Sequence, residues 1–396
     1  MLCGALAITA TIGTPAAAAQ GAAGSAETTF ALTLLKALGG SGNVVYSPYS
    51  VDVALTMADA GAIGQTASQI AHVLGASSAD NAVADAAALR RALSGAVGSG
   101  ASAPTLDVAN ALWTQSGLAL QQPFVSTLTD DFGAPPESTD FASEPAAALD
   151  AINAWVSQHT DALIPSLLGP GSITPQTAFV LANAIYLKAH WQTPFVASLT
   201  EPAAFTTAGG NVVRVPFMNG HEVTYPYAGG AGYQAVELPY SSSSLSLLAI
   251  LPRNKPLAHF EHGLSAHMLA GIVGGLSPHS VDLSMPKLDL SSQEDLNGPL
   301  QKLGMTDAFG PAADFRGVTT QRSLYISLVE HAAVLKIDEQ GTVAAGATAV
   351  VAPTTAVPVP REPVRLILNR PYLLLLRDDA SGNILFVARV DNPAQG

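Results

Sequence analysis

The run EHAAVLKIDEQGTVAAGATA, Glu330 to Ala349, changes character half-way along. Its AAVLKID, Ala332 to Asp338, is an apolar stretch of strand length. From Gly341 to Pro363 the chain then carries almost no charge, many small residues and several spaced prolines. Strand patterns bound this stretch on both sides, AAVLKID before it and YLLLLRD, Tyr372 to Asp378, after it. A loop of such length inside a compact domain is either functional or disordered.

Outward from there the same strand signature recurs. LDVANALWT (Leu106 to Thr114), TAFVLANAIYL (Thr177 to Leu187), YQAVELPY (Tyr233 to Tyr240), LSLLAILP (Leu245 to Pro252), SVDLSMPKLDL (Ser280 to Leu290) and NILFVARV (Asn383 to Val390) are runs of strand length. Several are continuously apolar, as in a sheet covered on both faces. Helical signals crowd the first third: Phe30, Leu32, Leu34 and Leu35 form a stripe, and Ser47-Pro48 reads as an N-cap followed by the first helical position. A further helix is predicted over Ala146 to Thr160, where Leu149, Ile152, Trp155 and Val156 share a face. Helices mostly early and strands mostly late point to an α+β domain. No internal repeat interrupts it, and the Gly/Ser-rich stretches Ser94 to Ser102 and Ser241 to Ser244 read as surface connections.

Composition narrows the function. With 396 residues, 48% of them hydrophobic, the chain can bury a large core. Its 17 Lys+Arg against 30 Asp+Glu give a net charge of −13, which repels nucleic acid and anionic membrane surfaces. The single cysteine, Cys3, leaves no disulfide to stabilise the body. Residues 1–21 are apolar, small and uncharged, and LCGALAITATIG followed by TPAAAAQG reads as an export signal that lacks the usual basic start; a disordered Ala-rich N-terminus is the alternative. Residues 24–396 are expected to form the folded domain, and no other run reaches the roughly 18 apolar residues of a membrane span.

In order along the chain, SPYSVDVALTMADAGAIGQTASQIAHVLG (Ser47 to Gly75), INAWVSQHT (Ile152 to Thr160), FVLANAIYLKAHWQTPF (Phe179 to Phe195), PKLDLSSQEDLNGPLQKLGMTDAF (Pro286 to Phe309), ADFRGV (Ala313 to Val318), Glu330 to Ala349 and NRPYLLLLRDDASGNILFVARVDNP (Asn369 to Pro393) resemble the serpin family. The resemblance covers roughly residues 27–393. It implies a fold of three β-sheets with eight or nine helices and an exposed reactive-centre loop, here about 341–363. It also implies a monomeric, secreted inhibitor of serine proteases that is not an enzyme and needs no cofactor. In such a suicide inhibitor the protease cleaves the loop, forms its acyl-enzyme, and is trapped as the freed hinge inserts into the main sheet.

Insertion requires a hinge without charge or bulk on its buried face. Thr342, Ala344, Gly346 and Thr348 would line one face, with Val343, Ala345, Ala347 and Ala349 on the other, and Gly341 would permit the turn out of the preceding strand. Val343 stands where inhibitory relatives usually have Glu. Counting fifteen residues from Gly341 places the reactive bond at Thr355-Ala356; Thr354-Thr355 and the region of Arg361 are the alternatives. A small uncharged residue at this bond suits an elastase-like or subtilisin-like protease, since a trypsin-like pocket takes a cation.

The resemblance further assigns Ser47, Ser50, Asn183 and His331 to a buried polar shutter under the main sheet and Trp191 to the breach where insertion starts. Other chemistries are weak. No G-x-S-x-G elbow marks a serine hydrolase. His259, His262 and His267 lack the H-E-x-x-H spacing of a zinc site, so no metal is expected. Arg90 and Arg91 alone make no heparin-binding stripe. A noninhibitory binding or chaperone role on the same fold is the remaining alternative.

Overall fold

The computed structural model describes residues 15–96, 103–342 and 362–395. Its helices are α1 Pro15–Leu38, α2 Pro48–Asp59, α3 Gly64–Leu74, α4 Ala79–Ala96, α5 Gln122–Asp130, α6 Pro145–His159, α7 Leu257–Gly263, α8 Ala266–Gly274 and α9 Asn297–Lys302. The first strands are β1 Val44–Tyr46, β2 Thr105–Gln115, β3 Glu137–Thr139, β4 Phe179–His190, β5 Glu201–Thr206, β6 Val212–Gly229, β7 Tyr233–Pro239 and β8 Leu245–Pro252. They are followed by β9 Ser277–Pro286, β10 Leu288–Asp295, β11 Ile326–Ile337, β12 Gly341–Thr342, β13 Val364–Ile367, β14 Tyr372–Asp378 and β15 Ile384–Val390. Residues 15–21, assigned to the leader above, continue α1. The expected hinge and bond residues Val343, Ala344, Ala345, Gly346, Ala347, Thr348, Thr354, Thr355, Ala356 and Arg361 lie outside the described residues.

The α+β prediction holds, with nine helices among the described residues. One sheet has six strands in the order β10-β11-β12-β4-β2-β3. The other has nine, β1-β15-β14-β8-β7-β6-β9-β13 with β5 on β6. The nine-stranded sheet is two regions in one: β6 pairs with β5 from Val212 to Phe217, with β9 from Phe217 to Tyr227, and reaches β7 only at Tyr227–Gly229. A break in its register between Gly220 and Val223 lets the strand turn between them. This is how the third sheet implied by the sequence is realised. SVDLSMPKLDL, read as one run, is divided between β9 and β10 at Lys287.

Two local rules place the helix under the six-stranded sheet. Ser47 caps α2, its Oγ accepting from the Ser50 N–H at 3.1 Å, and Pro48 stands inside the first turn. Every residue of α2 is buried, so this helix runs through the core rather than over it. At its end Gly61 meets Gly317 backbone to backbone: a Cβ on Gly317 would lie 2.7 Å from the Gly61 carbonyl oxygen, and one on Gly61 would lie 2.2 Å from Val318 Cγ2. Both positions therefore need glycine. On the opposite face of the sheet α6 sets Ala148, Ile152 and Val156 against Ala109, Ala111, Ala182, Ala184 and Ala332. The segment after α6 continues this cover with Ile164, Leu167 and Leu168.

Candidate functional site: a half-open slot in the main sheet

β4 and β11 run parallel and are paired from Phe179 with Ile326 up to Ile185 with Ala333. Above that point they diverge. The short β12 fills the far end of the gap, with Thr342 opposite Ile337 on one side and Ala189 on the other, and Gly341 opposite His190. Between these ladders, Val334 to Lys336 pair only with β10 and Tyr186 to Lys188 only with β2 among the described strands. The sheet thus contains a slot whose mouth already holds two residues of the segment that follows β11.

The mouth is built by a turn, an aromatic pair and an ion pair. In Asp338-Glu339-Gln340-Gly341 the Asp338 carboxylate accepts from the N–H of Gln340 at 2.8 Å and of Gly341 at 3.2 Å, an Asx turn. Gly341 has φ +154°, and a Cβ there would lie 1.9 Å from the Ala189 carbonyl oxygen, so no side chain fits. Thr342 is fully buried and shares a hydrogen bond of 2.5 Å with the Tyr240 hydroxyl. Tyr240 stacks on Trp191 with ring centres 4.6 Å apart, and Trp191 Nε1 donates to the Asp338 carbonyl at 3.0 Å. Lys287 Nζ lies 2.6 Å from Glu339 Oε2, and Thr200 Oγ1 donates to Oε1 at 2.7 Å. Burial pushes the Glu339 carboxyl up, but these hydrogen bonds outweigh it and hold the group below its ordinary value.

Half-way down, where β4 and β11 still touch, lies a neutral cluster. The backbone N–H of Ser47 donates to His331 Nε2 at 2.9 Å, which leaves Nδ1 to carry the proton and donate to Asn183 Oδ1. Asn183 Nδ2 donates to the Ser50 carbonyl at 2.7 Å, and also contacts Ser50 Oγ at 2.6 Å and Asn110 Oδ1. Ser50 Oγ in turn donates to Asn110 Oδ1 at 3.1 Å. His331 is fully buried, and desolvation alone pulls its imidazole down from 6.5 to about 3. It is neutral at physiological pH.

The structure brings Ser47, Ser50, Asn183 and His331 together, and Trp191 against the turn that leads to Gly341 and Thr342. Sequence reading missed Asn110, Tyr240, Thr200 and the Lys287–Glu339 pair. Asn110 had a readable signal, the polar break in DVANALW, but the others are joined only by the fold. His259 accepts from Lys255 Nζ at 2.9 Å, and among the described residues no group of His, Cys, Asp or Glu has the arrangement of a metal site.

Both the sequence and the fold that carries this slot have counterparts among known proteins. A sequence model described as "Serpin (serine protease inhibitor)" matches residues 25–393. The chain is a serpin. Among its relatives, Iripin-2 of Ixodes ricinus is 36% identical over 371 residues, which is 92% of each chain. Leukocyte elastase inhibitor of Sus scrofa is 32% identical over 93% of this chain and 99% of its own. The solved structure of native protease nexin-1 with heparin superposes with a TM-score of 0.84 at 27% identity, covering 94% of this chain and 100% of that one. Serpins as a family inhibit serine proteases, and this one has inhibitory relatives along almost its whole length. Among the described residues no helix is long and apolar enough to cross a membrane.

Proposed function

We propose that this serpin is a secreted, monomeric suicide inhibitor of elastase-like or subtilisin-like serine proteases, with Thr355-Ala356 as its reactive bond. The observation that carries the reading is the lodging of Gly341 and Thr342 between β4 and β11, with unpaired strand edges waiting below them. Carrying both ladders on residue by residue sets Thr348 opposite His331 on one side and Asn183 on the other. Insertion would then separate the His331–Asn183 contact and supply a hydroxyl in its place, so the buried groups are paired before and after. Ala344 and Gly346 fall on the same inward face and bring no charge. In this reading Ser47, Ser50, Asn183 and His331 are the shutter, Trp191 belongs to the breach, and Gly341 to Thr348 are the hinge. The chain acts without heparin, metal or nucleic acid.

The test is incubation with pancreatic elastase, subtilisin and trypsin, followed by denaturing electrophoresis and intact mass. An SDS-stable complex with elastase or subtilisin is expected, with a released peptide that begins at Ala356. A complex with trypsin alone would overturn the target class and move the bond to the Arg361 region. Clean cleavage by every protease without a complex would favour a noninhibitory binding role.

A further inference from the structure

Of the side chains on β4 and β11, Glu330 alone keeps a buried oxygen, Oε2, without a hydrogen-bond partner. The residue is 7% exposed and lies inside the parallel ladder, opposite Ala182, in the part of the pair that full insertion must separate. Its neighbours make matters worse. Asp295 stands directly across on β10, with Oδ1 already accepting from the Asn297 N–H at 2.8 Å, and Glu294 is next to it. The cover over this face supplies Ile164, Leu167 and Leu168; its acid Asp161 is engaged by the Tyr186 hydroxyl at 2.8 Å. His331, next along β11, points to the opposite face toward Ser47. The Arg389 guanidinium acts on Glu294, which pairs with His331 and so shares that opposite face. Burial first, and then Asp295 and Glu294, push the Glu330 carboxyl up to about 7.

We propose that Glu330 is a proton-operated latch on the main sheet: neutral, it lets β11 lie closed against β4, and ionised, it drives the pair apart and quickens loop insertion. The proposal rests on the insertion mechanism above for its consequence, though not for its physics. Parting the strands gives the carboxylate water on its β4 side, so the open sheet ionises near the ordinary carboxyl value while the closed sheet holds the proton. The advantage of the closed form is therefore complete below about 4.5 and is lost as pH rises to about 7. Over that window the opening equilibrium rises by up to about tenfold per pH unit.

The experiment is hydrogen exchange of the full chain at pH 5.5 and 7.5, corrected for intrinsic exchange, read over residues 326–333 in the wild type and in Glu330→Gln. His331 is common to both proteins, so the ratio between them isolates Glu330. Between pH 5.5 and 7.5 the opening of the wild type is expected to rise about twentyfold more than that of Glu330→Gln, which keeps the tighter sheet at both values. Equal pH dependence in the two proteins overturns the latch. Asp295→Asn gives a second reading should Glu330→Gln fold poorly: removal of the facing charge is expected to move the wild-type midpoint down, and an unmoved midpoint overturns the proposal. Exchange needs no protease, so a latch that works in a chain that traps nothing would sink the inhibitor reading and leave this one standing.

Discussion

At the mouth of the slot Glu339 meets Lys287 as an ion pair whose lysine is 37% exposed, whereas half-way down His331 meets Asn183 as two neutral groups shut away from water. The two contacts fail differently. An ion pair with one partner in solvent can trade its bond for hydration at small cost, so the mouth can loosen without help. A buried neutral network has no such exchange, and each group left unpaired costs about 1–3 kcal/mol. In the insertion mechanism proposed above, the mouth would govern how readily the loop starts, and the middle whether a starting loop is accepted: only a strand that brings its own hydrogen bond past His331 could go on.

The sharpest way to break this division is at the residue lodged in the mouth. Thr342→Arg would place a cation where a fully buried hydroxyl now meets Tyr240. The stoichiometry of inhibition is expected to rise by more than about tenfold, because an unpaired buried charge stalls insertion while cleavage continues. Unchanged stoichiometry would mean that the loop does not enter beside Tyr240. Next in size is Glu339→Lys, which sets a like charge beside Lys287 and removes the acceptor of Thr200. A loss of about 2 kcal/mol is expected in chemical unfolding, discounted for the exposure of Lys287, together with a greater tendency to self-associate. Lys287→Met in the same background should recover part of it, and no recovery would show that the damage is not electrostatic.

The smallest effect tests the middle. His331 has its affinity for protons lowered in the fold, so its contribution is whole above pH 6.5 and is lost as pH falls toward 3. In the Glu330→Gln background, where the opposing carboxylate is silent, stability should drop by up to about 2 kcal/mol between pH 6.5 and 5. The double variant with His331→Gln should lack this drop, so that the difference between the two proteins over that interval reports His331 alone. A parallel slope in both would place the titration elsewhere.

How much of this could be read in advance follows from how local each signal is. The strands buried on both faces, such as β4, β8 and β14, were legible because their apolar runs are long and broken at most by a single polar residue, Asn183 in β4 and Ser246 in β8. The longest strand, β6, was not: Pro216, Asn219-Gly220 and Pro226 are turn-type residues, yet they lie within the strand, whose register with β9 shifts between Gly220 and Val223. The shutter residues came through resemblance and not through pattern, since Ser47 and His331 lie 284 positions apart and nothing in either neighbourhood announces the other. Lys287–Glu339 was hidden for the same reason. Glu330 entered only as the first residue of a stretch that resembles the family, because a sequence does not show that Asp295 will stand across from it.

The stacking of Trp191 on Tyr240 gives the molecule an optical gauge of its own. The chain has three tryptophans. Trp113 and Trp155 sit edge to face at 6.3 Å, where the cover crosses the sheet, while Trp191 alone touches the turn into the hinge. Its indole N–H is tied to Asp338, three residues before the strand that would grow, so emission from Trp191 should change colour as the loop goes in. With the other two replaced by Phe, each insertion could be timed in unlabelled protein, one molecule population against a clock.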